Sequence, residues 1–300
     1  MTSPGPYIEI FLWDDKKEEA SPLSSIMEAF LHSAGRPQTA AMFCRDMYYQ
    51  LCVSESPGNP AHLIDLDHFI VVDINILKRP YLLQHESILF HLRSVPDHDP
   101  ESDFYILADR NIDATSLSGY LSHQSQKLVV DTTHFIQAAP PQDQYGSIVW
   151  KMSMPQSDTF NFKFNLPQLA TLLSTVSNAD KEYNVTQKNC YWFTRMVREL
   201  VARIVNDAAA AAHQEILPSD IDHGSYLRLW HTGHFLSFFC LDGYSPNLAD
   251  ILYAKYKNEY QEFANNVASL FFQKLLLSLT FKFSSEQKLH SEHHQHPIQK

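Results

Sequence analysis

Residues 183–193 read Tyr-Asn-Val-Thr-Gln-Lys-Asn-Cys-Tyr-Trp-Phe, and an apolar stripe at helical spacing begins at the last of them. The stripe consists of Phe193, Val197, Leu200, Val201 and Ile204. Asn189 is a typical N-cap residue, so the pattern predicts a helix that begins with Cys190. The unpaired N–H groups and partial positive charge of a helix N-terminus favour a thiolate over a thiol. This segment therefore indicates a thiol at an electrostatically favourable position.

Composition and charge exclude several classes of function. The chain has 300 residues with 44% hydrophobic content, enough for one large core, and a formal net charge of -11. A clustered basic face for nucleic acid is therefore not expected. Only 8 residues are glycine, and no GxGxxG or GxxxxGK[ST] motif is present, so we expect no nucleotide cofactor.

Cysteine usage and hydropathy indicate an intracellular, cytoplasmic protein without a membrane span. The four cysteines, at positions 44, 52, 190 and 240, form no CxxC motif and no dense disulfide framework. The N-terminus lacks the basic and apolar regions of a signal peptide. The apolar stretch 267–281 is shorter than a membrane span and contains Gln273 and Lys274, which favours a core helix.

The order of predicted elements indicates an α+β fold. Residues 1–60 read as a strand and helical region, 61–207 as the core, 208–283 as a C-terminal helical region and 284–300 as a disordered, His-rich tail. Within the core, a second helix is predicted after Asn165. We expect one antiparallel sheet from the apolar segments 68–73, 87–92, 104–107, 127–130 and 147–150.

A nucleophilic cysteine needs a base within hydrogen-bond reach, usually a histidine, and a polar group that orients the base. The chain has 16 histidines, and we gave priority to those on predicted strands because a rigid element holds a base best. Four lie in or beside the predicted strands: His68, His85, His91 and His134.

The order of these pieces resembles the circularly permuted papain-like superfamily, which includes lecithin:retinol acyltransferase-like proteins and PPPDE-type peptidases. The matching pieces are the His85 strand, the strand at 104–110, the helix at 166–176 and the Asn189-Cys190 helix start. The chain is also similar to a group of fungal proteins with an Asn-Cys-Tyr-Trp-Phe segment. The resemblance implies an antiparallel sheet packed on the Asn-Cys helix, with helical additions at both ends of the chain.

The resemblance also implies a thiol hydrolase or acyltransferase that acts on an amide, ester or isopeptide bond of a protein or a small acyl substrate. Cys190 would be the nucleophile, His85 the base, with His68 as the second choice, and Asp109 the orienting group. Where the family has Asn-Cys-Glu-His-Phe, this chain has Tyr191 and Trp192 between the cysteine and the phenylalanine.

Other interpretations stay open at the level of sequence. Cys190, Trp192 and Phe193 lie on an apolar helix face, which also suits buried core residues and a non-catalytic scaffold that keeps the fold. Asp109 and Arg110 could form an exposed ion pair. The stretch 267–281 also suits an interfacial lipid-modifying protein. No set of residues has the number and spacing of ligands that a zinc site needs, so we expect no metal.

Overall fold

The structure is a computed structural model whose description is restricted to part of the chain. The described residues are 38–40, 42–43, 69–79, 85–94, 103–112, 127–136, 146–154, 162–179, 182–183, 189–212, 234–235, 239–240 and 245–293. Most of the predicted N-terminal region 1–60, the second-choice base His68 and residues 294–300 of the predicted tail lie outside this description.

The fold is α+β, as predicted, and is built on one seven-stranded antiparallel sheet. Along the sheet the order is β1-β5-β4-β3-β2-β6, with β7 paired to β5. The strands are β1 (Gln38–Thr39), β2 (Phe69–Lys78), β3 (Glu86–Ser94), β4 (Asp103–Ile112), β5 (Lys127–Ile136), β6 (Ser147–Ser153) and β7 (Glu182–Tyr183). A separate hairpin pairs β8 (His234–Phe235) with β9 (Phe239–Cys240). Each of the five predicted core strands is present.

In the described part of the chain, three long helices accompany the sheet: α1 (Leu166–Ala179), α2 (Cys190–Ala211) and α3 (Pro246–His293). A capping box starts α1, because the Gln168 N–H donates to Asn165 Oδ1 at 3.0 Å and the Asn165 N–H donates to Gln168 Oε1 at 2.9 Å. In α2 the Trp192 N–H donates to Asn189 Oδ1 at 3.1 Å. Both N-caps predicted from the sequence are confirmed.

The main core lies between helix α2 and one face of the sheet. Side chains alternate across a strand, so Ile88 faces this core while Leu89 faces a smaller cluster on the other side of the sheet. Helix α2 contacts β3 and β4, and α1 contacts β2 and both other helices. The apolar stripe predicted for α2 is buried in this core, and so are the sheet residues Ile74, Ile76, Phe90, Leu92, Phe104, Ile106 and Ala108.

At one end of this apolar face the sheet carries four buried charged side chains, which we call the charge row. Lys78, Glu86, Arg110 and Asp131 lie on the neighbouring strands β2, β3, β4 and β5. Lys78 is paired with Glu86, and Arg110 with Asp131, in the strand register. Their residues are 7%, 1%, 0% and 3% exposed. Positive and negative side chains thus alternate across the sheet without contact with bulk water.

Both pairs of the charge row are closed by side-chain contacts. Lys78 Nζ lies 3.5 Å from Glu86 Oε1. Arg110 Nε and Nη2 each donate to a carboxylate oxygen of Asp131 at 2.7 Å, a bidentate geometry that gives strong hydrogen bonds. Removing one partner of a buried pair leaves an uncompensated buried charge.

Gly146 brings strand β6 close to the end of β2, where the charge row begins. Its φ is +106°, and a Cβ at this position would lie 2.4 Å from the carbonyl oxygen of Lys78. A glycine is therefore needed here both for the backbone angle and for the close approach.

Helix α3 continues through residues 284–293, where we expected the polar, unstructured tail to begin. The stretch 267–281 belongs to this helix, as predicted. Among the described residues, no helix has both the length and the apolar character needed to cross a bilayer.

We predict that Asp131→Asn destabilises the protein strongly, by about 3–5 kcal/mol, because it leaves the buried Arg110 guanidinium without its charged partner. The matched control is Asp103→Asn, which breaks the half-exposed pair Arg93–Asp103 of 3.1 Å and should cost no more than about 1 kcal/mol. Urea unfolding followed by tryptophan fluorescence measures both. Equal effects of the two substitutions would contradict a stabilising charge row.

Candidate active site

Cys190 is the first residue of helix α2 and lies directly after its N-cap. The Asn189 side chain accepts the hydrogen bond of the Trp192 N–H, and the Asn189 carbonyl accepts from the Phe193 N–H at 3.1 Å. Cys190 is a free cysteine and is 4% exposed. The cap therefore holds the thiol at the positive end of the helix, within a closely packed environment.

His85 precedes strand β3 at the hairpin that connects it to β2. The backbone N–H of Arg79 donates to the His85 carbonyl at 3.0 Å, which closes the hairpin and fixes the His85 backbone. The imidazole Nε2 pairs with Asp109 Oδ1, and Cys190 lies close enough to the ring to contribute to the raised pKa of His85. The histidine thus connects the helix start to strand β4.

Asp109 lies on β4 directly opposite Ser87, two residues after His85. Asp109 is 5% exposed, so little water can compete with the imidazole for hydrogen bonds to its carboxylate. The structure therefore brings together all three residues that the family resemblance implied: Cys190, His85 and Asp109.

The electrostatics of His85 favour its protonated form. Burial lowers the pKa of His85, but the hydrogen bonds with Asp109 and Cys190, together with attraction to their negative charges, outweigh it and raise the pKa to about 10. A protonated imidazole beside a sulfur atom favours the thiolate. The imidazole of His85 is therefore held in its charged form at neutral pH.

Asp109 and Arg110 are neighbours in sequence but belong to different networks. Asp109 pairs with His85, whereas Arg110 pairs with Asp131 inside the charge row. Both Asp109 and Arg110 are buried. The alternative prediction of an exposed Asp109–Arg110 ion pair is therefore wrong, because adjacent strand residues point to opposite faces and find different partners.

Trp192 and Phe193 belong to the core, as the apolar stripe predicted. The Arg110 guanidinium carbon lies 4.6 Å from the Trp192 ring centroid and 5.4 Å from that of Phe193. Trp192 is 1% exposed, and its Nε1 has no hydrogen-bond partner among the described residues. The first turn of α2 thus rests on the charge row through cation–π contacts.

Three polar residues near Cys190 were missed from the sequence: Lys78, Glu86 and Thr194. Thr194 Oγ1 donates to Glu86 Oε2 at 3.1 Å, which connects helix α2 to β3. The Lys78 ammonium lies 5.3 Å from the ring centroid of Tyr191, the residue after Cys190. The available signal was strand alternation, which puts Glu86 on the same face as Ile88 and Phe90 and so predicts a buried charge.

The other strand histidines have different surroundings. His91 lies six residues after His85 in the chain, which corresponds to about 20 Å along an extended strand. It stacks on Tyr105 at 4.6 Å, with Nδ1 3.6 Å from Asp73 Oδ2 and Nε2 3.2 Å from Asp103 Oδ1. Burial lowers the pKa of His134. The second-choice base His68 lies outside the described residues.

Metal binding finds no support in the described part of the chain. Within it, no group of three His, Cys, Asp or Glu side chains has an arrangement that could hold a metal ion.

Comparison of the chain with protein-family models, curated proteins and solved structures found no match. The site geometry is therefore the basis for any functional conclusion.

We predict that His85 makes stability depend on pH above neutrality. Its folded pKa of about 10 exceeds the ordinary value of 6.5, so its contribution is complete below pH 6.5 and is lost as the pH rises through about 10. The unfolding free energy of a Cys190→Ser protein should exceed that of Cys190→Ser/His85→Gln by an amount that shrinks as the pH rises above 6.5, and the loss should be complete at a lower pH than in the wild-type protein because Cys190 contributes to the raised pKa. The serine prevents thiol titration, while the bond to Asp109 remains.

His134→Gln in the same background is the control. Burial lowers the pKa of His134, so its effect on stability is confined to more acidic pH and the alkaline part of the curve should be unchanged. Urea unfolding at half-unit pH steps measures all three proteins. Parallel curves with and without His85 from pH 6.5 to 10 would contradict the predicted pairing.

Proposed function

We propose that this protein is a thiol hydrolase or acyltransferase that acts on an amide, ester or isopeptide bond. The observation that carries the proposal is the chain of contacts from Cys190 to His85 to Asp109. These would be a nucleophile, a base and an orienting carboxylate: His85 is hydrogen-bonded to Asp109, and Cys190 acts on the pKa of His85. The carboxylate favours the imidazolium, which in turn favours the thiolate.

In the proposed reaction the Cys190 thiolate attacks the carbonyl carbon of the substrate and forms a tetrahedral intermediate. The His85 imidazolium then donates its proton to the leaving amine or alcohol, which leaves a thioester on Cys190. Water, or a second acceptor in a transferase, attacks the thioester while His85 accepts its proton. The thiolate leaves, and the thiolate–imidazolium pair is restored.

The start of helix α2 supplies donors for the developing oxyanion. The Trp192 and Phe193 N–H groups are used by the Asn189 cap. Backbone N–H groups at a helix N-terminus point towards an anion bound there, and the partial positive charge of the helix adds to this effect. A substrate carbonyl placed above Cys190 would therefore meet a favourable electrostatic environment.

We further propose that the fold is a permuted papain-like arrangement and that the reaction takes place in the cytoplasm on a protein or small acyl substrate. In support, the base precedes β3, the carboxylate lies on the adjacent β4, and the cysteine begins a later helix packed on these strands. The free thiol of Cys190 suits a reducing compartment.

A non-catalytic scaffold of the same fold is the second candidate, and one observation favours it. Cys190 and Trp192 are almost completely buried. Tyr191 and Trp192, also buried, stand where the resembling family has a polar pair, so the first turn of α2 contributes to packing. In a scaffold, the polar triad would only stabilise the helix start.

Acylation by p-nitrophenyl acetate separates these two candidates. We expect a burst of p-nitrophenolate and an acetyl group on Cys190, located by peptide mass spectrometry. Cys190→Ala should abolish the labelled peptide. His85→Asn should slow acylation at pH 7 by about 10²–10⁴-fold, since it removes the base. Asp109→Asn should have a smaller effect in the same direction because it weakens the orientation of His85.

His134→Asn is the matched control and should leave the rate unchanged. N-acetylcysteine at the same pH sets the rate of an ordinary thiol. If Cys190 reacts no faster than N-acetylcysteine, and His85→Asn has no effect, the protein is not an activated-thiol enzyme and the scaffold interpretation stands.

A further inference from the structure

We propose that Lys78 is a positioning residue that stabilises the Cys190 thiolate independently of His85. This inference rests on the proposed function and adds a second positive group to it. Lys78 ends strand β2, whereas His85 lies across the hairpin just before β3. The two cations therefore approach the start of helix α2 from different strands.

The position of the Lys78 ammonium is determined by contacts on two sides. Its Nζ lies 3.5 Å from Glu86 Oε1 and 5.3 Å from the ring centroid of Tyr191. Tyr191 follows Cys190 in the first turn, and a cation over its ring gains electrostatic stabilisation. Lys78 also has an attractive charge interaction with Cys190 itself.

Glu86 is held in turn by the helix that carries the cysteine. The single hydroxyl hydrogen of Thr194 is shared between Glu86 Oε2 at 3.1 Å and the Tyr191 carbonyl at 3.2 Å. The contacts therefore run from Lys78 through Glu86 and Thr194 back to the first turn of α2. This connection would keep the Lys78 ammonium and the Cys190 thiol in the same relative position when the substrate binds.

A second cation matters because His85 cannot serve both of its roles at once. After the His85 imidazolium has given its proton to the leaving group, it no longer provides a positive charge near the sulfur. Lys78 takes no part in the proposed proton transfer, so the ammonium that pairs with Glu86 would favour departure of the thiolate when the thioester is hydrolysed. Low exposure of the Lys78 side chain, 8%, strengthens this attraction relative to a solvated lysine.

The charged surroundings of Lys78 are distributed over the neighbouring strands. Glu86 lies beside it, and the other pair of the charge row, Arg110–Asp131, lies further along the same face. Burial lowers the pKa of Lys78, while Glu86 and Cys190 oppose this effect. Among the described residues, other titratable or charged groups at this end of the sheet include Arg79, His85, Asp109 and His134.

The test is the pH profile of iodoacetamide alkylation at Cys190, measured by peptide mass spectrometry. Lys78→Met removes the charge at nearly constant length, and the midpoint of the profile should rise by about one pH unit. At a pH at least one unit below both midpoints this is about a tenfold loss of rate. Lys78→Arg keeps the charge and should return the midpoint towards the wild-type value.

Lys151→Met is the matched control. Lys151 lies on β6, pairs with Asp73 at 3.3 Å and is 40% exposed, so its removal should leave the midpoint unchanged. Urea unfolding of each variant shows that it is folded at the pH used. If Lys78→Met does not fold, Lys78→Gln replaces it and is compared with Lys78→Arg in the same way.

A double-mutant cycle with His85→Asn separates this inference from the proposed function. Lys78→Met should raise the midpoint by a similar amount with and without His85. The role of Lys78 would be overturned if the midpoint is unchanged in Lys78→Met or Lys78→Gln. It would also be overturned if Lys78→Arg shifts the midpoint as much as the variant without the charge does. An unchanged profile in His85→Asn alone would instead overturn the thiolate–imidazolium pair.

Discussion

The structure depends on the packing of the first turn of helix α2 against a row of buried charges. Burying four charged side chains is costly, and the cost is offset only if each one meets its partner. Arg110 meets Asp131 through two hydrogen bonds of 2.7 Å, and Lys78 meets Glu86 at 3.5 Å. These contacts require the strands to keep one register, because a shift by one residue would send each side chain to the other face.

This constraint extends from the sheet to the cysteine. Trp192 and Phe193 lie against the Arg110 guanidinium, and Thr194 bonds to Glu86, so the turn that follows Cys190 has defined partners on two strands. The thiol is therefore placed by groups that are not part of the proposed triad. Large apolar side chains beside a nucleophile then serve to hold the helix start rigid.

In the proposed function, two sets of side chains stabilise charge near Cys190: His85 with Asp109, and Lys78 with Glu86. Each set has a different role. In the proposed reaction, His85, held by Asp109, would supply a proton that can be transferred, since an imidazole changes its protonation during a reaction. Lys78 and Glu86 supply a pair whose geometry is tied to the helix. A scaffold protein would need only the second network, so the chemical behaviour of Cys190 decides between the two proposed functions.

Much of the local structure follows from the sequence because it depends on short-range rules. The five core strands were predicted from their apolar runs, and both helix starts from Asn165 and Asn189. The structure extends these strands by several residues, as β4 shows: its predicted part ends at Leu107, and the strand itself continues to Ile112. Polar residues at the strand ends are buried by tertiary packing, so their participation in the sheet has no apolar signal.

The sequence by itself determined the α+β class, the capped start of α2 and, through a family resemblance, the choice of Cys190, His85 and Asp109. Only the tertiary structure decided that Asp109 pairs with His85 while its neighbour Arg110 pairs with Asp131, and that Lys78 and Glu86 contact the first turn of α2. Caps and periodicity act over a few residues and are visible in the chain. Pairing between charges depends on strand register and face, which exist only after the sheet has formed.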